Sequence, residues 1–253
     1  MSKPFEDLHV DLNSLQSHPE PDLLKRALLS GGQPERLGLA NLWLSEGIPH
    51  VFMSSPAVYQ QLRSELSRKL HVGVKDISVV GSSRVGYSLA DHKFGRKFGD
   101  GSDLDLCVVN SSLFETVKSD TENFIAHVKS GFTTSENAKT RKNWNDSCEC
   151  LPDNILKGFI DVKKVPAIQG KYDQICLIKN NIYLVSLRLQ STQNIPSFKS
   201  ISIRCYRDWQ SMVDQVARSL YRLTKQLEAQ SELAPIVLNQ STTPSAENTL
   251  STE

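Results

Sequence analysis

The strongest constraint on this chain is a pair of short apolar segments, each with polar residues at one end. Residues 76–80 are rich in β-branched side chains and are followed by Gly81 and Ser82. Residues 103–109 begin with Asp-Leu-Asp and continue as Leu-Cys-Val-Val. Short runs of this kind are typical of buried strands. The segment at 200–206 alternates polar and apolar residues, which predicts a third strand.

Helical spacing of apolar residues accounts for much of the remaining chain. It predicts five helices that pack on the core. These are two short helices between Pro21 and Leu44, split by Gly31-Gly32 and Pro34, then helices at 56–70, 113–128 and 209 to about 227. Asp208 precedes the last of them, at the position where an N-cap residue belongs.

Two segments lack a decisive pattern. Residues 182–189 are apolar with an ambiguous period and could form a strand. Residues 131–150 are polar and show no periodicity, which predicts a long loop or a mobile insertion. Cys148 and Cys150 could supply half of a metal site, but no second Cys or His pair follows at a suitable spacing.

The composition restricts which partners the chain can take. Of its 253 residues, 39% are hydrophobic, and the net charge is +1. A balanced charge gives no general attraction to nucleic acids or membrane surfaces, so affinity for phosphate must come from a local cluster. No stretch reaches the roughly 20 apolar residues of a membrane span, and no secretory leader is visible. We therefore expect a cytoplasmic protein with no membrane partner.

Shifts in composition divide the chain into three regions. Residues 1–20 are polar and are expected to be a flexible N-terminus. Residues 21–228 carry the predicted strands and helices and form one domain, with a helical N-terminal part at 21–70. After about Glu228 the residues Ser, Thr, Asn, Gln and Pro dominate, which predicts a disordered tail at 229–253.

Asp103 and Asp105 form the first candidate for a functional site. Alternate residues of a strand project to the same face, so these two carboxylates are expected to lie a few ångströms apart. Carboxylates this close repel each other unless a cation lies between them. Mg²⁺ prefers oxygen ligands and commonly uses one or two carboxylates together with substrate phosphates. The pair therefore predicts a magnesium site that also takes a triphosphate.

Gly81 and Ser82 form the second candidate. A strand that ends in Gly-Ser and turns into a short helix presents backbone N–H groups and a hydroxyl to phosphate oxygens. Glycine also lets a phosphate approach the backbone closely. Four basic residues between the two halves of the motif could steady a triphosphate or an acidic second substrate. They are Arg84, Lys93, Arg96 and Lys97.

In this combination the sequence resembles the DNA polymerase β-like nucleotidyltransferase superfamily. Gly81, Ser82, Asp103 and Asp105 match its motif, with Gly101-Ser102 leading into the acidic pair, and the core match covers about residues 76–110. Phe94-Gly-Arg-Lys-Phe98 extends the likeness to a group of bacterial nucleotidyltransferase-domain proteins. The resemblance implies an α+β fold: a mixed sheet flanked by helices, here with N-terminal helices and a C-terminal helix.

The same resemblance implies a set of site residues. Asp103 and Asp105 would hold Mg²⁺ and take part in catalysis. The predicted nucleotide-binding residues are Gly81, Ser82, Ser83, Arg84 and Ser102. The gap between Gly81 and Asp103 is longer than in compact members of the superfamily, so residues 90–100 are expected to form an extra loop or hairpin.

A third carboxylate is the missing part of the motif. Active members of the superfamily usually supply one from a later strand, where it helps to bind the metal and to activate the attacking hydroxyl. The strand at 200–206 offers Ser202 and Arg204 but no acid. Asp161 is the best substitute by local pattern and is the predicted third catalytic residue; Asp208 is a weaker candidate, because helix capping explains it.

The sequence therefore predicts a Mg²⁺-dependent enzyme that transfers a nucleoside monophosphate from a nucleoside triphosphate to an acceptor. The acceptor stays open between a protein side chain, an RNA end and a second nucleotide. The alternative is an inactive domain of the same fold that binds a protein partner as a sensor, antitoxin or scaffold. Nucleic-acid binding through the basic loop and the last helix is a third reading, which the near-zero net charge disfavours.

Overall fold

A computed structural model describes residues 18–45 and 47–238, and in this part the chain is an α+β protein with eight α-helices and one four-stranded mixed sheet. The strands are β1 (Ile77–Val80), β2 (Asp103–Val109), β3 (Phe159–Asp161) and β4 (Ser200–Tyr206). The helices are α1 (Pro21–Ser30), α2 (Gln33–Ser45), α3 (Pro56–Leu70), α4 (Ser82–Val85), α5 (Ser111–Lys129), α6 (Ala138–Leu156), α7 (Asp173–Gln190) and α8 (Trp209–Leu238).

The order of the strands brings distant segments together. The sheet runs β1-β2-β4-β3, with β2 and β4 parallel and the two outer strands antiparallel to their neighbours. Asp105 lies opposite Val80 of β1 on one side and opposite Ser202 of β4 on the other. Arg204 lies opposite Asp161 of β3. The middle of the sheet therefore gathers polar residues from three strands.

Helices cover both faces of this sheet. One face of β2 carries Leu104, Leu106 and Val108, which join a large core with buried residues of α3, α5 and α7. On the other face Cys107 packs with Met212 of α8 and with Ala40 of α2. Because side chains alternate along a strand, Asp103 and Asp105 belong to the face that α8 covers.

The expected elements with regular spacing are confirmed closely. The helix at 56–70 and the strands at 103–109 and 200–206 have the predicted bounds, and the first strand is one residue shorter than predicted. The helix predicted at 113–128 spans Ser111–Lys129. Asp208 caps α8 as expected, because its Oδ1 accepts a hydrogen bond of 2.7 Å from the backbone N–H of Ser211.

The possible strand at 182–189 is wrong, because this segment lies inside helix α7. The buried aliphatic residues of α7 recur at steps of three or four, which is the helical period. They are Ile175, Ile178, Ile182, Val185 and Leu189. A window confined to 182–189 holds only three of these positions, so the period was ambiguous there and is clear over the whole helix.

The prediction of a loop at 131–150 is wrong for most of its length, because helix α6 begins at Ala138. Asn137 caps this helix, since its side-chain oxygen accepts a hydrogen bond of 3.0 Å from the backbone N–H of Thr140. The side of α6 that meets the core carries Trp144, Cys148, Leu151 and Ile155 at helical steps. Because these four apolar residues are surrounded by polar ones, their helical spacing is hard to detect from the sequence alone.

The chain ends differ in part from their predicted description. Helix α8 continues to Leu238, so the first ten residues of the predicted tail are helical; residues 239–253 lie outside the described residues. Of the predicted flexible N-terminus, residues 1–17 also lie outside them. Pro19 is held by the side chain of Tyr87, whose hydroxyl donates a hydrogen bond of 2.8 Å to its carbonyl. Among the described helices, none combines the length and the apolar character that a membrane crossing requires.

The sequence predicts an extra loop or hairpin at residues 90–100, and the structure has a paired loop at residues 86–98, which we call the hairpin loop. An isolated antiparallel bridge joins Tyr87 to Lys97. The backbone N–H of Ser88 donates to the carbonyl of Arg96 at 2.8 Å, and that of Phe98 donates to Gly86 at 2.9 Å. These bonds fold the loop back toward the end of α4 and beside the sheet.

Candidate functional site

The carboxylates of Asp103 and Asp105, which we call the acidic pair, are held by two serines of the neighbouring strand. Ser200 Oγ donates to Asp103 Oδ1 at 2.6 Å, and Ser202 Oγ donates to Asp105 Oδ1 at 2.6 Å. The parallel register of β2 and β4 sets these contacts, because it places each serine directly opposite its aspartate. Each hydroxyl therefore fixes one oxygen of its carboxylate.

Gly81 lies against the other oxygen of Asp105. Its φ of +68° belongs to the region that glycine adopts readily, and it forms the N-cap of α4. A Cβ at this position would lie 2.8 Å from Asp105 Oδ2, closer than real Cβ atoms come to other heavy atoms. Glycine is therefore needed here both for the turn and for the close approach of the carboxylate.

A cavity of about 270 Å³ opens beside this contact. Its floor includes Gly81, Ser82, Asp105 and Arg204, so the glycine turn and one member of the acidic pair face the same space. The hairpin loop supplies one wall through Ser88–Ala90, and α8 supplies another through Gln215, Val216, Ser219 and Leu220. This volume is just below the roughly 300–1,000 Å³ of most ligand pockets.

The electrostatic balance at Asp105 favours a cationic partner. Burial raises the pKa of its carboxyl, and the nearby charges of Asp103 and Asp161 act in the same direction. The hydrogen bond from Ser202 and the positive charge of Arg204 oppose this shift without cancelling it. A raised pKa means that the ionised carboxylate is poorly compensated, and a bound cation would stabilise it.

Asp161 lies on β3, and strand β4 separates it from the acidic pair on β2. Its side chain pairs with Arg204 of β4. Its Oδ2 is 3.7 Å from Arg204 Nε, and its Oδ1 accepts a hydrogen bond of 3.1 Å from the backbone N–H of Lys163. Within residues 18–45 and 47–238, no group of three or more His, Cys, Asp or Glu side chains could hold a metal ion. The structure therefore does not bring Asp161 together with Asp103 and Asp105 as one set of ligands.

Asp208, the weaker candidate for a third acid, is engaged elsewhere. Besides capping α8, its Oδ2 accepts a hydrogen bond of 2.9 Å from Arg207 Nε. Its pKa is lowered, first by the N–H of Ser211 and also by the side chains of Arg207 and Ser211. This aspartate acts as a helix cap.

Three of the predicted nucleotide-binding residues have structural contacts of their own. Ser83 is buried; its Oγ donates to the carbonyl of Val80 at 2.9 Å and accepts from the N–H of Asp105 at 3.2 Å. Arg84 is also buried, and its guanidinium donates to the carbonyl of Gly47 at 3.1 Å. The hydroxyl of Ser102 accepts from the N–H of Gly99 at 3.2 Å. None of the three lines the cavity.

Ser200 is the contact that sequence reasoning missed, and Ser202 and Arg204 were noted only for not being acidic. All three lie on one face of β4, because they alternate along it. The Ser-x-Ser-x-Arg spacing repeats the Asp-x-Asp spacing of β2, and this matching period is the signal that could have paired the two strands.

Neither protein-family models, nor curated proteins, nor solved structures gave a match to this chain. What the structure itself defines is an α+β protein in which one member of an acidic pair, a glycine turn and an arginine line the same cavity.

Proposed function

We propose that this protein is a Mg²⁺-dependent nucleotidyltransferase, which transfers a nucleoside monophosphate from a nucleoside triphosphate to an acceptor hydroxyl. The observation that carries the proposal is the contact between Asp105 and Gly81. It puts a carboxylate oxygen beside a backbone turn in a cavity that also holds the hydroxyl-bearing Ser82. A metal-bound triphosphate needs both kinds of group side by side.

The residues present fit a magnesium ion with two protein ligands. Asp103 and Asp105 are oxygen ligands, each with one oxygen already oriented by a serine. Mg²⁺ often uses one or two carboxylates and completes its coordination with phosphates and water. When bound, the ion would neutralise charge on the triphosphate and so favour attack at phosphorus.

The residues of the chain would bind and orient the substrate. Asp103 and Asp105 would hold the Mg²⁺ that accompanies the triphosphate, and the turn at Gly81 and Ser82 would contact the phosphate oxygens. The acceptor oxygen then forms a bond to the α-phosphorus, the bond to the β-phosphate breaks, pyrophosphate leaves, and the hydroxyl proton is released to water. Positioning and charge stabilisation supply the catalysis.

A direct test uses the full chain with Mg²⁺ and each labelled nucleoside triphosphate, with and without cell extract as a source of protein, RNA and nucleotide acceptors. We expect pyrophosphate release and a labelled acceptor. The double variant Asp103→Asn with Asp105→Asn should remain folded and lose both signals. Asp153→Asn is a matched control, because Asp153 is exposed on α6 and pairs with Lys157 at the surface. Transfer that persists in the double variant would contradict the proposal.

The second candidate is a binding module of the same fold without catalysis. It is favoured by the position of Arg204, whose charge acts on both Asp105 and Asp161 and which occupies the place where a third acid was sought. A wild-type protein that binds a triphosphate with Mg²⁺, yet releases no pyrophosphate with any acceptor fraction, would establish this function instead of the first. A protein partner would then be the expected receiver of the nucleotide signal.

A further inference from the structure

Arg204 is the one basic residue among those that line the cavity. It lies on β4 two residues after Ser202 and on the same face, so its side chain and that of Asp105 share one face of the sheet and line one cavity. The side chain is 39% exposed, so it is neither fully buried in the core nor fully solvated. A charged group at such a boundary is accessible to a ligand and still only partly screened by water.

Asp161 keeps this guanidinium at the cavity. Its distance of 3.7 Å from Nε is that of an ion pair and is longer than a good hydrogen bond. Burial acts to lower the pKa of Arg204, but Tyr206, Asp161 and Asp105 together raise it. The neighbouring groups therefore stabilise a positive charge here and position it, without a short hydrogen bond from Arg204 to Asp161 that an incoming anion would have to break.

We propose that Arg204, positioned by Asp161, is the cationic phosphate-binding residue of this cavity and contacts a phosphate group of the bound nucleotide beside the turn at Gly81 and Ser82. This inference rests on the proposed function for the identity of the ligand and deepens it. It gives Asp161 the role of holding an arginine rather than a metal ion. The triphosphate would then be bound by two positive charges, a Mg²⁺ held by the acidic pair and the guanidinium of Arg204.

The charges favour an anion over a second metal ion at this place. A guanidinium repels a divalent cation, whereas its planar N–H donors match the oxygens of a phosphate. Gly81 and Ser82 line the same cavity, so backbone and hydroxyl donors lie beside the arginine. The competing reading is that Arg204 occupies the cation site and blocks it, as a permanent partner of Asp105.

The test measures binding of inorganic tripolyphosphate and of a nucleoside triphosphate to the full chain, first in a metal chelator and then with Mg²⁺. The variants are Arg204→Gln, Arg204→Lys and Asp161→Asn. Arg68→Gln is the matched control, because it removes one positive charge as Arg204→Gln does. Arg68 lies on the exposed side of α3, which packs on the opposite face of the sheet. Circular dichroism and thermal unfolding check that each variant is folded.

We expect Arg204→Gln to weaken tripolyphosphate binding about 10- to 100-fold, as loss of a charge-assisted hydrogen bond does. Arg204→Lys should fall between the wild type and Arg204→Gln, because lysine keeps the charge and loses the planar donors. Asp161→Asn should weaken binding by a smaller factor, and Arg68→Gln should leave it unchanged. Mn²⁺ binding to the acidic pair, followed by electron paramagnetic resonance, should survive in every variant.

Wild-type affinity for tripolyphosphate in Arg204→Gln would overturn the inference, as would a wild-type protein that binds no tripolyphosphate. If Arg204→Gln does not fold, wild-type affinity in Arg204→Lys overturns it in the same way. Tighter Mn²⁺ binding with unchanged tripolyphosphate binding in Arg204→Gln would establish the blocking role. If Arg204→Gln loses tripolyphosphate binding but the wild type transfers no nucleotide, the phosphate site at Arg204 is supported. Only the proposed transferase function is then rejected.

Discussion

At the scale of single residues, the site depends on contacts that leave little room for other side chains. Asp105 is wedged between the hydroxyl of Ser202 and the backbone of Gly81. Ser83 adds a second constraint, since its hydroxyl links the end of β1 to the N–H of Asp105. The carboxylate is thus contacted on two sides and the backbone N–H of the same residue is held by Ser83 before any ligand binds, which lowers the entropy cost of ordering the site when a ligand arrives.

Gly81→Ala tests this close packing. The new Cβ would meet Asp105 Oδ2 at 2.8 Å, and the backbone φ of +68° is strained for alanine. We expect the free energy of unfolding to fall by about 1–3 kcal/mol, and triphosphate binding to weaken as Asp105 is displaced. Urea unfolding and a nucleotide-binding titration measure the two effects.

Gly99→Ala is the control for the same substitution. Nothing lies within 4 Å of a Cβ at Gly99, and its φ is not positive. Its free energy of unfolding should stay within about 0.5 kcal/mol of the wild type. Equal losses in the two variants would show that Gly81 has no special place beside Asp105.

At the scale of elements, helix α8 both packs against the sheet and lines the cavity. Its buried residues Met212 and Val213 pack beneath the sheet, and Gln215 to Leu220 form a wall of the cavity. The helix begins immediately after β4, at the cap Asp208. Anything that loosens this first turn therefore also loosens the strand that carries Ser202 and Arg204.

Asp208→Ala should lower the free energy of unfolding by about 1 kcal/mol at pH 7, the usual cost of losing a helix N-cap. The pKa of Asp208 is lowered in the folded protein, chiefly by the N–H of Ser211. Its contribution is therefore present above its unfolded pKa of about 3.9 and is lost as the pH falls through the folded value. The difference between wild type and variant should shrink over that acid range in urea titrations.

Asp208→Asn serves as the control, because asparagine also caps helices but does not titrate. It should retain most of the stability at pH 7. A difference between wild type and Asp208→Ala that stays constant down to the lowest pH would contradict an ionised cap.

Helix α6 offers an independent check of the fold, since the sequence did not reveal it. Leu151 on this helix is fully buried in the main core, whereas Leu156 on the same helix is 79% exposed. Leu151→Ala should cost about 2–5 kcal/mol in the free energy of unfolding. Leu156→Ala should stay within about 0.5 kcal/mol. Similar values for the two would mean that α6 does not dock on the core as described.

At the scale of the whole molecule, one face of the sheet supplies the main hydrophobic core and the other face carries the acidic pair. The face of Leu104 and Leu106 is covered by α3, α5 and α7 and supplies the largest core. The opposite face packs against α8 and α2, and Asp103 and Asp105 are half-buried on it. A rigid core on one side can thus support polar side chains on the other, where a ligand can reach them.

Local patterns predicted the pieces of this molecule better than their arrangement. The bounds of β2, β4 and α3 follow from residues that are neighbours in the chain, and so do Gly81 and the acidic pair. The partners of the pair do not: Ser200 and Ser202 each lie 97 residues from the aspartate they contact. Nothing in the spacing fixed which strand would pair with β2, so the sequence could not show that Asp161, the predicted third acid, lies opposite Arg204 on β4.

We propose that Asp103 and Asp105, beside the turn at Gly81, hold a Mg²⁺-bound triphosphate. Isothermal titration of the full chain with each nucleoside triphosphate, once with Mg²⁺ and once with a chelator, tests this. We expect binding that strengthens with Mg²⁺ in the wild type and loses that strengthening in Asp105→Asn, at unchanged thermal stability or higher. Binding that ignores Mg²⁺, or an Asp105→Asn variant that responds to Mg²⁺ as the wild type does, would contradict it.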